Sequence, residues 1–248
     1  MKNSRILKTI LGNQELIAVD CGAAGGVLPH WNSIKDQSKF LLFEPDPRSF
    51  SDLQKMIESE KYPSRWKIET VGVSETGGRK ILFLFNGGTG SSLLPPDTEN
   101  RFFNASDPYV FPIREIEVDT ITVKDALIKH GFPHVDLAKL DVQGAELNVL
   151  RGFGESNLKS LLVLEVEVIV MPTYSQQGTI EEIFKLLRGY GLEMFDLRKW
   201  PAYWSDKGVD TLDYCKILDV HKATESVLHQ VHEIDFLFFS RSSRVYCY

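Results

Sequence analysis

The sequence predicts an α/β fold built around a largely parallel β-sheet. Two short apolar runs, Ile17–Val19 and Phe40–Phe43, lead into the acidic residues Asp20 and Glu44. Continuous apolar runs of this length are typical of parallel strands that are buried on both faces. Between such runs lie amphipathic stretches, of which 179–189 is the clearest because its apolar residues recur at helical spacing. This alternation indicates βαβ units, with ligands bound beyond the carboxyl ends of the strands.

The periodicity assigns most of the chain to an element. We expect strands near 16–21, 39–43, 67–73, 80–85, 117–121, 135–141, 161–170, 191–196 and 234–240. We expect helices near 47–59, 122–130, 145–151 and 179–189. Two segments fit the alternation poorly: 86–116 is rich in glycine and proline, and 198–232 is a long connection. Loops of this length in a compact domain are usually binding loops, lids or small subdomains. We therefore predict one domain over 1–248, in which these two insertions cover the acceptor side of the site.

The composition argues against several classes of protein. Hydrophobic residues make up 43% of the 248 residues and charged residues 25%, which is not the balance of a disordered chain. The net charge of −6 argues against a general nucleic-acid surface, so we expect no nucleic-acid partner.

The N-terminal residues lack the apolar core of a secretion signal and no run is long enough to span a membrane. We therefore expect a cytoplasmic protein with no membrane partner. The sequence leaves the oligomeric state open.

The cysteines predict no covalent framework. Cys21, Cys215 and Cys247 are odd in number and widely spaced, so neither a disulfide pattern nor a C-x-x-C site follows from them.

The loop after the first strand carries the strongest functional signal. Small residues follow Asp20 and give the spacing D-x-G-x-x-x-G, with glycines at 22 and 26. Such a turn lets the backbone approach a ligand closely, and an acid at the next strand's end, here Glu44, can accept hydrogen bonds from a ribose diol. The dinucleotide fingerprint G-x-G-x-x-G is broken at Ala24. An acid at Asp20 would repel a pyrophosphate, so the pattern favours S-adenosylmethionine over NAD. A tight turn with no ligand is the structural alternative.

Together with motifs further along the chain, this loop makes the sequence similar to those of the FkbM-type methyltransferases, a branch of the class I S-adenosylmethionine-dependent enzymes. The resemblance is carried by Asp20–Gly26, Phe43–Pro45, Gly72–Ser74, Val118–Thr120 and, most specifically, Lys139–Glu146. It implies a class I methyltransferase fold, which is Rossmann-like and doubly wound, with a mostly parallel seven-stranded sheet whose last strand is antiparallel. It also implies methyl transfer to a hydroxyl of a sugar, polysaccharide or natural product.

The same resemblance implies roles for the residues of the first two loops. The methionine end of the donor would be held by Asp20, Gly22, Ala23, Ala24 and Gly26, the ribose by Glu44 and the adenine by Val73 and Ser74. The rival hypotheses are an NAD-dependent oxidoreductase and a non-catalytic scaffold that binds a cofactor.

The later motif suggests the chemistry. Lys139 and Asp141 are two residues apart on a predicted strand and therefore share a face, as do Glu165 and Glu167 on the next strand. A buried lysine needs a carboxylate partner, and we expect Glu165 to supply it. In the functional hypothesis, Asp141, Lys139 and Glu165 form a charged cluster beneath the methyl group. Asp141 would also contact the donor and act as the base for the hydroxyl, and Lys139 would stabilise the developing oxyanion. The alternative is a purely structural Lys139–Glu165 ion pair.

The remaining candidates concern the acceptor. The predicted substrate-binding residues are Ser91, Ser92, Gln143, Glu167, Trp200 and Trp204. The tryptophans, expected just past the strand at 191–196, would stack on a ring-shaped acceptor; packing beneath a loop is the alternative. Gln143 departs from the family pattern, which commonly has glutamate there. Asp141 with Glu165 or Glu167 has the ligand chemistry for Mg²⁺, although we expect no metal.

Overall fold

The computed structural model describes residues 14–86, 90–98, 112–170, 173–204 and 228–240, with 198–204 and 228–235 described through their backbone. The strands are β1 (Leu16–Cys21), β2 (Ser38–Phe43), β3 (Trp66–Glu69), β4 (Gly72–Val73), β5 (Gly78–Leu84), β6 (Arg114–Ile121), β7 (Leu137–Leu140), β8 (Val163–Ile169), β9 (Leu192–Trp204) and β10 (Leu228–Ser240). The α-helices are α1 (Pro47–Ser59), α2 (Val123–Lys129), α3 (Glu146–Gly152), α4 (Glu155–Ser160) and α5 (Ile180–Gly189). Short 3₁₀ segments occupy Pro29–Ser33, Lys35–Gln37 and Pro63–Arg65.

Seven of the described strands form one sheet in the order β3-β2-β1-β7-β8-β10-β9. The pairs from β3 through β8 are parallel, whereas β10 runs antiparallel to both β8 and β9. The predicted class I arrangement with an antiparallel last strand is therefore confirmed. The strand order reverses between β1 and β7, and in open α/β sheets ligands bind outside the carboxyl ends of the strands at such a switch point.

Apolar side chains cover both faces of this sheet. On one face, alternate residues of β1, β7 and β8 pack against α2, α3 and α5, in a core that includes Phe153 and Phe238. On the other face, β1 and β2 pack against α1 and Trp31, and Phe40 stacks on Trp66 with ring centroids 4.0 Å apart. Because Asp20 is a neighbour in sequence of Val19 on the first face, its side chain belongs to the second face, on which the polar site is built.

Two helix starts follow the expected capping chemistry. Asp46 caps α1 by accepting a hydrogen bond from the backbone N–H of Arg48 at 2.9 Å, and Pro47 occupies the first turn. Thr179 and Glu182 form a reciprocal capping box at the start of α5. The cap of α1 matters for function because it lies directly after Glu44.

The structure corrects three sequence-based boundaries. The strand expected at 67–73 is two strands, because β3 pairs with β2 whereas β4 pairs with β6 in a second sheet of order β4-β6-β5. The helix α4 was not expected. The strand expected at 191–196 continues to Trp204, because β10 pairs with it along the whole length. Trp200 and Trp204 therefore lie within β9 and not in a loop beyond it.

The β9–β10 pair extends past its neighbour in the sheet. Ile169, the last residue of β8, pairs with Glu233, whereas residues 228–231 of β10 pair with residues 201–204 of β9. Four residues at about 3.4 Å each carry this ribbon roughly 14 Å beyond the carboxyl edge of β8. Of the two predicted insertions, the parts at 87–89, 99–111 and 205–227 lie outside the described residues.

No helix within the described ranges has the length and apolar character needed to cross a bilayer.

Candidate functional site

A cleft opens at the carboxyl ends of β1, β2 and β7, next to the switch point of the sheet. It encloses about 820 Å³ of empty space, its open mouth included. Its lining includes Gly22, Gly26, Glu44, Val73, Lys139 and Asp141. With Ala24 and Ser91, which also line it, eight of the residues predicted to form the site converge on this cleft.

The loop after β1 approaches β7 so closely that only glycine fits at its start. Gly22 has φ +88°, and a Cβ there would lie 1.8 Å from the carbonyl oxygen of Asp141. The backbone N–H groups of Gly22 and Ala23 both donate to the carbonyl of Phe43, at 3.1 and 3.0 Å. These bonds tie the end of β1 to β2, and the backbone N–H of Asp141 donates to the carbonyl of Cys21 at 3.0 Å and ties it to the end of β7. Ala23 is fully buried and lies behind the residues that line the cleft.

Asp20 also lies behind the lining, where it is 1% exposed. Its Oδ1 is 3.4 Å from the Lys139 Nζ, and within the described residues its buried Oδ2 has no hydrogen-bond partner. Burial raises the pKa of Asp20 to about 6, although Lys139 opposes this shift. Asp20 is thus a buried carboxyl group with unused hydrogen-bonding capacity next to the cleft.

Lys139 is held by three acceptors. Besides Asp20, its Nζ contacts Asp141 Oδ2 at 3.2 Å and donates to the carbonyl of Gly22 at 3.1 Å. Burial works against the charged amine, but the two carboxylates outweigh it and hold the pKa of Lys139 above its usual value. The lysine therefore remains a cation whose charge is matched by its neighbours.

The predicted Lys139–Glu165 ion pair is wrong. The two residues are register partners on β7 and β8, but Asp20 is the register partner of Lys139 on the other side. The lysine turns toward β1, where Asp20 and the Gly22 carbonyl are available, and Glu165 instead contacts His30 Nε2 at 2.9 Å. Glu165 is consequently withdrawn from the cluster that the sequence predicted, and it does not line the cleft.

Asp141 is the centre of a second polar group. Its Oδ1 accepts a hydrogen bond from Gln143 Nε2 at 2.9 Å, and the same nitrogen donates to Glu167 Oε2 at 2.9 Å. Burial raises the pKa of Asp141, but Lys139, Glu167 and Gln143 together lower it below its ordinary value. By itself, Asp141 is thus a weak proton acceptor, which bears on the role predicted for it.

The turn that carries Gln143 is held in an unusual backbone conformation. Gln143 has φ +55°, a left-handed value that is rare for a residue with a side chain. The hydroxyl of Ser92 donates to the Gln143 carbonyl at 2.7 Å, and the N–H groups of Val142 and Gly144 donate to the Glu146 carboxylate at 3.1 Å each. Ser92, predicted to bind substrate, is 1% exposed and supports this turn instead.

Sequence reasoning assigned no role to Glu146. It is 2% exposed, and burial raises its pKa to about 7. The available signal was an acidic residue that begins a helix two residues after a glycine, because such a carboxylate can accept bonds from the preceding backbone N–H groups.

Glu44 lies at the other end of the cleft and is 4% exposed. Its Oε1 accepts a hydrogen bond from the backbone N–H of Asp46 at 2.8 Å. Burial raises the pKa of Glu44 to about 7, despite that hydrogen bond. A carboxyl group poised in this way can switch its charge near neutral pH.

The segment at 90–98 connects the two ends of the cleft. Ser91 lines the cleft and donates to Asp46 Oδ2 at 2.8 Å, whereas Ser92 reaches the Gln143 turn. Asp46 also accepts from the guanidinium of Arg48, which donates in turn to the Phe85 carbonyl. This part of the predicted insertion therefore runs along the mouth of the cleft.

The remaining predicted residues differ in whether they line the cleft. Val73 lines the cleft, but Ser74 is buried outside it, with its hydroxyl bonded to Lys80 Nζ at 2.9 Å. The side chains of Trp200 and Trp204 lie outside the described residues. In the part of the chain that is described, no group of three or more His, Cys, Asp or Glu side chains is arranged to hold a metal ion.

Comparison with known proteins agrees with this geometry. A family model described as the methyltransferase FkbM domain matches residues 20–194. Methyltransferase sdnD from Sordaria araneosa is 27% identical over 205 residues, covering 75% of this chain and 76% of the relative. The 2-O-methyltransferase NoeI from Sinorhizobium fredii is 24% identical over 203 residues, covering 77% and 79%.

A third curated relative, the 31-O-demethyl-FK506 methyltransferase FkbM from Streptomyces tacrolimicus, is 23% identical over 166 residues and covers 60% and 61% of the two chains. Among solved structures, the methyltransferase FkbM from Methylobacillus flagellatus gives a TM-score of 0.49 at 14% identity. That alignment covers 90% of this chain and 44% of the solved chain, so this chain spans less than half of that protein.

Proposed function

Because the chain belongs to the FkbM methyltransferase family, we propose that it transfers the methyl group of S-adenosylmethionine to a hydroxyl of a sugar, polysaccharide or natural product. The observation that carries the proposal is the convergence of three strand ends on one cleft. The glycine loop after β1, Glu44 after β2 and Asp141 after β7 all line it. This is the position at which open α/β sheets bind nucleoside cofactors.

The charges around the cleft support this donor over a dinucleotide. Among the described lining residues Lys139 is the only cation, and its charge is matched by Asp20 and Asp141. A pyrophosphate would therefore meet an excess of carboxylates, whereas a ligand with an ammonium and a sulfonium would complement them. The unpartnered Oδ2 of Asp20 adds acceptor capacity on the same side.

The chain offers a partner for each part of the donor. Gly22, Ala24 and Gly26 would contact the methionine end, with Asp20 and Ala23 behind them, and Glu44 would accept from the ribose hydroxyls. Val73 would contact the adenine, and Ser74 would support it from outside the lining. When bound, the donor supplies an electrophilic methyl group on a sulfonium. The protein orients the acceptor hydroxyl in line with that methyl group and accepts its proton.

Hydroxyl methylation is supported by two relatives whose names specify O-methylation. In this chain Asp141 and Lys139 would face the acceptor oxygen, with Ser91 at the mouth of the cleft. Trp204 lies on the part of β9 that extends past β8, and Trp200 lies level with the last residue of β8. These positions support the proposal that the ribbon contributes to the acceptor side. Gln143 and Glu167, predicted to bind substrate, are not among the residues that line the cleft, but Gln143 bonds both to Glu167 and to Asp141, which does line it. They remain candidates on that side.

Calorimetric titration with S-adenosylmethionine and with NAD⁺ tests the proposed cofactor. We expect binding of S-adenosylmethionine, and the variant Glu44→Ala should weaken it by about one to two decades through a lost charged hydrogen bond. The exposed Glu58→Ala on α1 is the matched control and should bind the donor as the wild type does. Binding of NAD⁺ alone would instead support the oxidoreductase alternative.

A second experiment tests catalysis. Incubation with methyl-labelled donor and a panel of sugars, polysaccharides and natural products should transfer label to a hydroxyl of at least one acceptor class. Donor binding with no transfer to any acceptor would support the non-catalytic scaffold.

A further inference from the structure

On the premise that the chain methylates a hydroxyl as proposed above, we propose that Asp141 and Glu167 act together as one proton-accepting pair. Gln143 is the positioning residue that holds the two carboxyl groups next to each other. The hydroxyl proton is therefore taken up by the pair, through Glu167, and not by Asp141 alone.

Asp141 alone is poorly suited to remove a proton. Both of its oxygens are engaged by donors, Oδ1 by the Gln143 amide at 2.9 Å and Oδ2 by the Lys139 ammonium at 3.2 Å. Each donor stabilises the ionised carboxylate and so reduces its basicity. A second group is needed to accept the proton near neutral pH, where a general base works best.

Glu167 is placed to be that group. One nitrogen, Gln143 Nε2, donates to both carboxyl groups at 2.9 Å and so holds them next to each other. Two carboxyl groups held this close together tend to bind one proton between them, because two adjacent negative charges repel. Loss of that shared proton leaves a pair whose affinity for a proton exceeds that of a single carboxylate.

The surrounding structure holds Gln143 in place for this task. Its left-handed backbone, at φ +55°, is supported by Ser92 at the carbonyl. The Tyr174 hydroxyl is 3.4 Å from the Gln143 Oε1, which leaves the amide nitrogen facing the two carboxyl groups. A glutamate at this position would bring a third acceptor and no donor to the pair.

Charged groups on every neighbouring element influence the pair. Lys139 on β7 contacts Asp141, and Asp20 on β1 shares that lysine. Glu146 on α3 lies beneath the turn, and Glu165, two residues before Glu167 on β8, is engaged by His30. Lys139 keeps Asp141 ionised, so Glu167 is the member whose proton is exchanged.

Methyl transfer exchanges one C–S bond for one C–O bond. An oxygen lone pair of the acceptor forms the new C–O bond, the C–S bond breaks, and its electron pair returns to sulfur. The hydroxyl proton passes to the Glu167 carboxylate and is later released to water. No metal or redox partner is needed.

Carboxyl-detected ¹³C NMR of protein labelled at its aspartate and glutamate side chains tests the pair without an acceptor. The variants Glu167→Gln and Asp141→Asn assign the two resonances. Glu155→Gln, at an exposed position on α4, is the control and should leave both resonances unchanged. We expect the Asp141 and Glu167 resonances to respond at one common midpoint, because both carboxyl groups sense the shared proton. In Gln143→Leu the two titrations should separate. Independent titration of both groups in the wild type would overturn the proposal.

An activity measurement addresses the chemical role. With an acceptor from the methyl-transfer screen, Glu167→Gln should lower kcat by about 10²–10⁴-fold while donor Kd stays within about twofold. Gln143→Leu should shift the acidic limb of the pH–kcat profile, which a merely structural role would not move. Unchanged kcat in a folded Glu167→Gln would overturn the proposal. Absence of donor binding to the wild type would instead refute the proposed function, so the two failures are distinguishable.

Discussion

The pH dependence of donor binding tests the role proposed for Glu44. Burial raises the pKa of this carboxyl group to about 7, so its charge changes in the range where binding is readily measured. An ionised carboxylate accepts hydrogen bonds from both hydroxyls of a ribose, whereas the protonated form has to use one oxygen as a donor. Donor affinity should therefore rise as the pH increases through 7.

The size of the effect follows from the fraction of ionised Glu44. With a pKa of about 7, roughly one tenth of the protein is ionised at pH 6 and roughly nine tenths at pH 8. Apparent affinity scales with the binding-competent fraction. The dissociation constant for S-adenosylmethionine should thus be about tenfold higher at pH 6 than at pH 8 from this group alone.

Calorimetry at pH 6, 7 and 8 with wild type and Glu44→Gln measures this contribution. Asp20, whose pKa burial raises to about 6, acts in the same direction, and the donor's own amine also titrates. Both effects are common to the two proteins, so the ratio of their dissociation constants isolates Glu44. A ratio that does not change with pH would refute the role of Glu44 in holding the ribose.

Three further predictions concern stability and the acceptor. Lys139→Met should lower the free energy of unfolding by about 3–5 kcal/mol, because it leaves the buried Asp20 without its partner; urea denaturation measures this, and unchanged stability would contradict it. Glu146→Gln should remove a pH dependence of stability. The folded-state pKa of Glu146, about 7, lies above the ordinary glutamate value of 4.5, so Glu146 stabilises the fold below pH 4.5 and this stabilisation is lost as pH rises through 7. The difference in unfolding free energy between wild type and variant should change by about 3 kcal/mol between pH 4 and pH 8, and a constant difference would refute the assignment. Trp200→Ala or Trp204→Ala should raise the acceptor KM with donor Kd unchanged, measured by steady-state kinetics and calorimetry, whereas a fall in Tm with loss of both ligands would indicate packing.

The sequence predicted the elements whose signal is local. The apolar run ending at Asp20, the run ending at Glu44 and the amphipathic stretch of α5 each specify their own structure, and parallel pairing then brings the strand ends together. The position of the cleft followed from this, because the carboxyl ends of adjacent parallel strands share one edge.

The partners of the charged residues could not be predicted in the same way. Lys139 has carboxylates in register on both sides, Asp20 on β1 and Glu165 on β8. Strand spacing alone cannot distinguish them, and the choice depends on the Gly22 carbonyl and on His30, which lies 135 residues from Glu165 in sequence. The length of β9 was missed for a similar reason, since its continuation past residue 196 depends on pairing with β10.

The placement of β10 between β8 and β9 has a consequence for how the chain folds. Since β9 pairs with β10 and does not contact β8 through backbone ladders, one end of the sheet cannot assemble until residues 228–240 have left the ribosome. Until then the edge of β8 and the whole of β9 present unpaired backbone groups, which are templates for association with other chains. Non-local pairing of this kind also slows folding. A nascent chain is therefore most vulnerable to aggregation between the emergence of β9 and that of β10, after the residues that line the cleft have already been made.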